Sequence, residues 1–368
     1  MSKNHGIIKA NRAFILSDTH LGARSNSIEW LEMMHEWIML DFIPKVKKEY
    51  KPGDILIHCG DVFDNRQSVN LLVLHNGISI FEELSKIFVD GIYVIAGNHD
   101  VMRKTTNDVS SLDSLKYIPN VHIFKEPLQA TIKTNSRELI VLFMPWRTSE
   151  KEERSCIKEY ETWKCEYLFC HTNIRNLSFD KYRKVDEGIG KSDLVKFKQV
   201  YSGHIHWQQK RENITMIGNP YQMTRSDLGN KKGWYILDFD VGSSRFIEND
   251  FSPKFIKVYI NEWIEKPFSE LKSLCKKNRV DLYIPTSYLV KFDLNPIIDG
   301  VSKICKKLEI ITFEDEDYNE SSVIIDTSST YNIYDLCKKH VNELNAYDDA
   351  IKKNLLKKLN TLYLESIK

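Results

Sequence analysis

Five short stretches carry side chains that can bind metal and move protons. Asp18 and His20 lie in LSDTHLG, Asp61 and Asp64 in CGDVFDN, and Asn98, His99 and Asp100 in AGNHD. His171 lies in LFCHTN, and His204 and His206 lie in SGHIH. Donors drawn from Asp, His and Asn, without Cys, are borderline-hard and suit manganese or iron better than structural zinc. The residue types fit two divalent ions. One carboxylate can bridge ions about 3.5–4 Å apart, a geometry suited to phosphate-ester hydrolysis. Phosphodiesters resist water so strongly that rate gains on the order of 10¹⁷ are asked of their hydrolases. A metal pair addresses nucleophile and charge together. A lone D-x-H or G-H-x-H says little, but five such stretches in order, each following a strand, are not a chance assembly. His58, inside a strand, and His75, on a helix, read as packing or surface histidines without a role. Asp64 reads either as a turn cap or as a support for the site.

The elements that must position these residues are strands. Phe14–Leu16, Ile55–Ile57, Ile92–Ala96, Tyr167–Phe169 and Val200–Tyr201 each immediately precede one of the motifs. Carboxyl ends of neighbouring strands converge, so residues remote in sequence can meet there. Gly60, Gly97 and Gly203 are expected to let the chain turn sharply before each ligand. Further strands are expected at Leu139–Met144, Ile214–Ile217 and Trp234–Phe239. Helical patterns start at Ser27, with Pro44 as a kink or stop, and run from Val69 to Phe88. Residues 145–165 read as a charged helix between strands. The whole reads as α/β, a two-sheet sandwich flanked by helices.

The composition shifts near Ser252-Pro253. Beyond it, alternating Ile256, Val258, Ile260 and Val280, Leu282, Ile284 read as strands, and Ile310–Phe313 as another. Phe268, Leu271, Cys275 and the set Ile297, Val301, Ile304, Leu308 read as helical faces. This is a small α/β unit. Glu314–Asp317 reads as a solvated loop, and Tyr334 to Leu362 as helices. The expected division is 1–252, 253–327 and 328–368.

These residues resemble the calcineurin-like metallophosphoesterase superfamily, whose pattern is D-x-H, G-D-x-x-D, G-N-H-D, H and G-H-x-H. Within it the chain is similar to the SbcD-type DNA repair nucleases, and most to the recombination endonuclease subunits of tailed phages. GDVFDNRQ, GNHDVMRKTTNDVSSLD, GNPYQMTRSD and KKGWYILDFD carry that likeness. The resemblance implies a metallophosphoesterase fold with a small DNA-capping domain and a helical tail. It implies one metal held by Asp18, His20, Asp61 and His206, and a second by Asp61, Asn98, His171 and His204. Two divalent ions, manganese by preference, are the implied cofactors. His99 would lie over the scissile phosphate and help protonate the leaving oxygen, with Asp100 orienting it. The implied partners are DNA, single- or double-stranded and at its ends, an SbcC-type coiled-coil ATPase docked on the tail, and a second copy of the chain. Arg24, Arg66, Arg103 and Lys104 follow the motifs and could position a DNA backbone without reading bases. Lys181, Arg183, Lys184, Lys210, Arg211 and Arg225 are further candidates.

Composition limits the alternatives. Lys and Arg total 52 against 51 Asp and Glu, so any basic surface must be local. Seven scattered cysteines without a C-x-x-C pair argue against a disulfide framework. No apolar run is long enough for a membrane span or secretion signal, so a cytoplasmic protein is expected, in host cytoplasm if viral. The competing readings are a phosphoesterase acting on a small molecule or phosphoprotein, and a scaffold that has lost catalysis. The intact ligand set speaks against the scaffold.

Overall fold

The computed structural model describes residues 6–103, 106–160, 165–314, 341, 351–353 and 355–359. Three sheets form. The first has seven strands in the order β1 (Gly6–Lys9), β6 (Leu128–Lys133), β7 (Glu138–Met144), β8 (Tyr167–His171), β9 (Gln199–Gly203), β11 (Ile214–Met216), β10 (Gln209–Arg211). The second has six, in the order β13 (Ser243–Glu248), β12 (Gly233–Asp238), β2 (Arg12–Leu16), β3 (Asp54–His58), β4 (Ile92–Ile95), β5 (Val121–Phe124). The third has β14 (Phe255–Tyr259), β15 (Arg279–Pro285) and β16 (Lys307–Phe313).

Strand side chains alternate between faces, and this sorts the apolar residues into layers. Ala13, Ile15, Ile55, Ile57 and Ile95 meet Val141, Phe143, Phe169 and Tyr201 in one cluster between the two large sheets. Phe14, Leu16, Leu56 and Val94 point the other way, against Trp37, Phe42, Phe81 and Leu84 of the helices. Leu142, Leu168, Cys170 and Val200 face a third layer with Ile157 and Leu194. Phe143, Phe169 and Tyr201 pair in register across β7, β8 and β9 and stack at 5.5 and 5.7 Å. Such cross-strand aromatic rows favour one register over a slipped one.

Several expectations change. Pro44 does not stop its helix. Helix Ile28–Trp37 passes through a π turn, Ile38–Phe42, into helix Ile43–Glu49, with Pro44 in its first turn. The wider turn absorbs the ring and the missing donor that would break a regular helix. Leu308 lies on β16, not on the helical face of Asn295–Ser302. Strands β1, β5, β10 and β13 have mixed patterns that short-range periodicity does not single out, whereas β6 alternates Leu128, Ala130 and Ile132 with polar residues and is not among the expected strands. The helix within 145–165 is Glu150–Glu159. Lys104, most of the acidic loop and most of the tail at 328–368 lie outside the described residues.

Residues 255–313 have their own core of Val258, Leu271, Val280, Leu282 and Val301. Arg225 joins them to the sandwich through two bonds to Asp281 and an ion pair with Glu309. Arg279 bonds Glu29 at 2.9 Å and lies over the Trp30 ring. Among the described residues no helix is long and apolar enough to cross a membrane.

Candidate metal centre

Strands β2, β3 and β4 are parallel neighbours, and so are β7, β8 and β9. Their carboxyl ends meet, and five chain segments converge there. From one sheet come Asp18 and His20, Asp61 and Asn98. From the other come His171, at the last position of β8, and His204 and His206.

Among the described residues three groupings could each hold a cation: Asp18, His20 and His206; His20, Asp61 and His99; and Asp61, His171 and His204. His20 Nε2 lies 3.6 Å from Asp61 Oδ2, and His171 Nε2 lies 3.3 Å from the same oxygen. Asn98 Oδ1 is 3.0 Å from His171 Nε2 and 2.7 Å from His204 Nδ1. His20 and His206 present their Nε2 atoms to each other at 2.9 Å. Asp61 is therefore common to two groupings from opposite sheets.

The outward-facing partners set the tautomers. His171 Nδ1 donates to the Cys59 carbonyl at 2.8 Å, and His20 Nδ1 to Asp64 Oδ1 at 2.9 Å. Each ring thus keeps its proton outside and turns Nε2 inward, as metal-binding histidines do. Lone pairs and carboxylates aimed at one buried point repel unless positive charge lies among them. The donor set therefore fits divalent cations.

The titration behaviour has the same origin. Burial pushes the Asp18 carboxyl up. Burial opposes ionisation of Asp61 too, but His171, His20 and His99 outweigh it and hold Asp61 well below the usual range. His171 rises to about 9, since the attraction of Asp61 and Asp18 overcomes burial. Burial, together with the nearby His171, depresses His204 to about 3. Protons on some rings thus balance the carboxylates in the metal-free protein.

The local backbone is strained where it must deliver these groups. Asp18, His20, Asp61 and His204 all have positive φ, between 44° and 81°. Non-glycine residues adopt this region at a cost that surrounding structure must offset. The expected glycine turns need correction. Gly60 does have φ +91, but Gly97 and Gly203 have no such φ. Space makes them necessary: a Cβ on Gly97 would collide with Asp61, and one on Gly203 with Ser17 Oγ and the Cys59 carbonyl.

Asp64 holds two rings. Its carboxylate binds His20, and its carbonyl accepts from His99 Nδ1 at 2.6 Å. That bond leaves His99 Nε2 free, while the His99 amide donates to Asp61 Oδ1 at 2.7 Å. Asp100 does not orient His99. Its buried carboxylate accepts from the amides of Gly97, Asp61, Val62 and Phe63. It ties the second and third motif loops together, because four inward amides need an acceptor where water is excluded.

A cleft of about 350 Å³ opens on Asp61, His99, His204 and His206, and its lining includes Phe179, Arg183 and Thr224. Arg24, Arg66 and Arg103 are not in that lining. Arg24 instead donates to the Met223 carbonyl and lies over Trp30. Arg225 is engaged by Asp281 and Glu309. His58 is buried, with Nε2 3.2 Å from Thr19 Oγ1.

Three supporting residues escape sequence reasoning. Trp146 follows β7 as the ligands follow their strands, and its ring lies 4.9 Å from that of His204. That strand-end position was the available signal. Lys232 is buried and donates to the His206 carbonyl, Asn219 Oδ1 and Asp227 Oδ1 at 2.6–2.7 Å. Tyr221 donates to the carbonyl of Thr19, between Asp18 and His20. The 218–240 block thus braces the first and last motifs from behind.

The calcineurin-like phosphoesterase profile matches residues 12–284. The chain is also similar to exonuclease subunit 1 of Enterobacteria phage T4, with 23% identity over 359 residues, 95% of this chain and 98% of that protein. Among solved structures it is similar to an archaeal phosphodiesterase at 16% identity, over 65% of this chain and 99% of the other, with a TM-score of 0.32. A protein of unknown function from Aquifex aeolicus is similar at 16% identity over 50% and 93%, with a TM-score of 0.29. The family match starts on the first residue of β2 and runs through all five motifs, and the chain belongs to the calcineurin-like phosphoesterase family.

Proposed function

We propose that this protein is a metal-dependent DNA nuclease subunit that hydrolyses phosphodiester bonds during DNA end processing and recombination, with a coiled-coil ABC-type ATPase as its partner. The observation that carries the hydrolytic reading is the inward convergence of two carboxylates, a carboxamide and four imidazoles around the shared Asp61. One ion would be held by Asp18, His20, Asp61 and His206, the other by Asp61, Asn98, His171 and His204. Two divalent ions held there, manganese by preference, would supply charge neutralisation at the phosphate and an activated water nucleophile, with Asp61 as the residue common to both ligand sets. His99, with Nδ1 donating to the Asp64 carbonyl, would in its doubly protonated form give the Nε2 proton to the leaving oxygen. Lys232 and Tyr221 hold the loops against movement.

The DNA substrate and the role as one subunit of a larger nuclease draw support from the similarity to the phage exonuclease subunit along nearly the whole chain. The ATPase would engage the region at 328–368, and a second copy of the chain would complete a homodimer. The test compares single-stranded and duplex DNA with a chromogenic phosphodiester. It uses manganese, magnesium or chelator, with and without the co-encoded ATPase. Manganese-dependent DNA cleavage, altered by the ATPase, is expected. Hydrolysis of the chromogenic ester without any DNA cleavage would return the protein to the general phosphoesterases.

A further inference from the structure

Nine of the ten residues lining the cleft are polar or charged: Asp61, His99, Asp180, Arg183, His204, His206, Thr224, Ser226 and Asp227. The tenth is Phe179, a residue 45% exposed. An aromatic ring at the rim of an otherwise polar cleft offers a flat apolar face to whatever enters it.

The segment that carries it is held firmly. Buried Leu177 and Val185 anchor its two arms in the layer outside the seven-stranded sheet. The Val185 amide donates to the Leu177 carbonyl, and the Phe179 amide to the Arg183 carbonyl, both at 2.8 Å. Asp180 closes the tip. Its carboxylate accepts from the amides of Tyr182 and Arg183 and from two guanidinium nitrogens of Arg183. Gln209 pins the base in both directions, accepting from the Ser178 amide and donating to the Ser178 carbonyl. Gln209 lies on β10, three residues past His206, so the strand leaving the metal centre fixes the aromatic rim. The Arg183 guanidinium then lies 4.7 Å from the centre of the Phe179 ring.

We propose that Phe179, stiffened by Arg183, is a stacking platform for the nucleobase next to the scissile phosphate of a DNA strand. The inference rests on the nuclease reading above and deepens it. Bases of every type have an aromatic face, so such a platform binds strands without choosing sequence. A base can stack on Phe179 only after leaving its own helix. The platform therefore favours single strands and frayed ends over intact duplex.

The test uses the full-length chain with manganese. It follows steady-state cleavage of a single-stranded oligodeoxynucleotide, the same oligonucleotide abasic at the cleaved end, and bis(p-nitrophenyl) phosphate. Phe179→Ala and Phe179→Leu should raise KM for the normal strand by about 5- to 100-fold. Phe179→Trp should retain the parental KM. All three should cleave the abasic strand as the parent does and still hydrolyse the small diester, which shows that they fold. The abasic strand should reduce the parent to the level of Phe179→Ala and leave that variant unchanged. Parental behaviour of Phe179→Leu, or equal losses on normal and abasic strands, would overturn the platform. Absence of DNA cleavage by the parent, with the diester still hydrolysed, would remove the nuclease reading and this inference with it.

Discussion

Strands β2, β3 and β4 of the six-stranded sheet run parallel, and so do β14, β15 and β16 of the small sheet. Both have apolar interiors, and both have helices on one face. The ends of the first three strands lead to Asp18, Asp61 and Asn98. The ends of the small sheet lead to a short 3₁₀ turn after Tyr259 and a helix after Pro285. Among the described residues, none of the groupings able to hold a cation falls in the small unit. The difference is the second sheet. Ligands from β8 and β9 complete the centre only because a facing sheet brings its own carboxyl ends to the same place. Backbone strain follows the same division. Four candidate ligands have positive φ, whereas in 255–313 only Lys277 does, in a turn. A packed sandwich can hold such strain.

The two regions differ most at Asp61. Asp61→Ala removes the group that the two sheets share and should abolish hydrolysis and leave fewer than two ions per chain. The loss should exceed the roughly 100-fold that a residue orienting a ligand is worth. Elemental analysis and phosphodiester hydrolysis check both points. Two tightly held ions in the variant would contradict the bridging role.

His99→Asn should separate chemistry from assembly. Rate should fall by about 10²–10⁴, with both ions retained. Loss of an ion would instead make His99 a ligand, which its grouping with His20 and Asp61 makes worth measuring. Asp64→Ala frees both His20 and His99. It should weaken metal binding by about 10–100-fold, read by titration with manganese.

His58 probes the cost of a histidine kept neutral beside the centre. Burial lowers its pKa from 6.5 to about 3. Below pH 6.5 the unfolded chain takes up this proton and the folded protein does not, so stability falls as pH drops from 6.5 toward 3. For the metal-free protein this contributes a loss of about 2 kcal/mol between pH 7 and pH 5. His58→Asn should remove that part of the pH dependence in denaturant unfolding. An unchanged slope would show that His58 does not carry it.

The smallest effect belongs to the seam. Arg225 is half exposed, so Arg225→Ala should cost only about 0.5–1 kcal/mol. Hydrogen exchange should rise within 255–313 and stay constant at the metal centre. Faster exchange at Asp61 or His171 would show that the two regions are coupled after all.

The ligand types, their order and the strands before them were legible in the sequence, because strand ends and donor chemistry are local properties. The alternation in Phe14-Ile15-Leu16 and Ile55-Leu56-Ile57 is likewise local, though which face meets the second sheet is not. Family membership follows from the same motifs. Other features depended on approach between segments far apart in the chain. That Asp100 caps loop amides and does not steer His99 is settled by where β3 and β4 end relative to each other. That Arg225 serves the seam, and Arg183 the cleft, depends on how loops fold over the sandwich. The outward protons of His20 and His171 depend on acceptors 44 and 112 residues away. Charge and hydrogen bonding act over a few ångströms of space, and only the folded chain sets those distances.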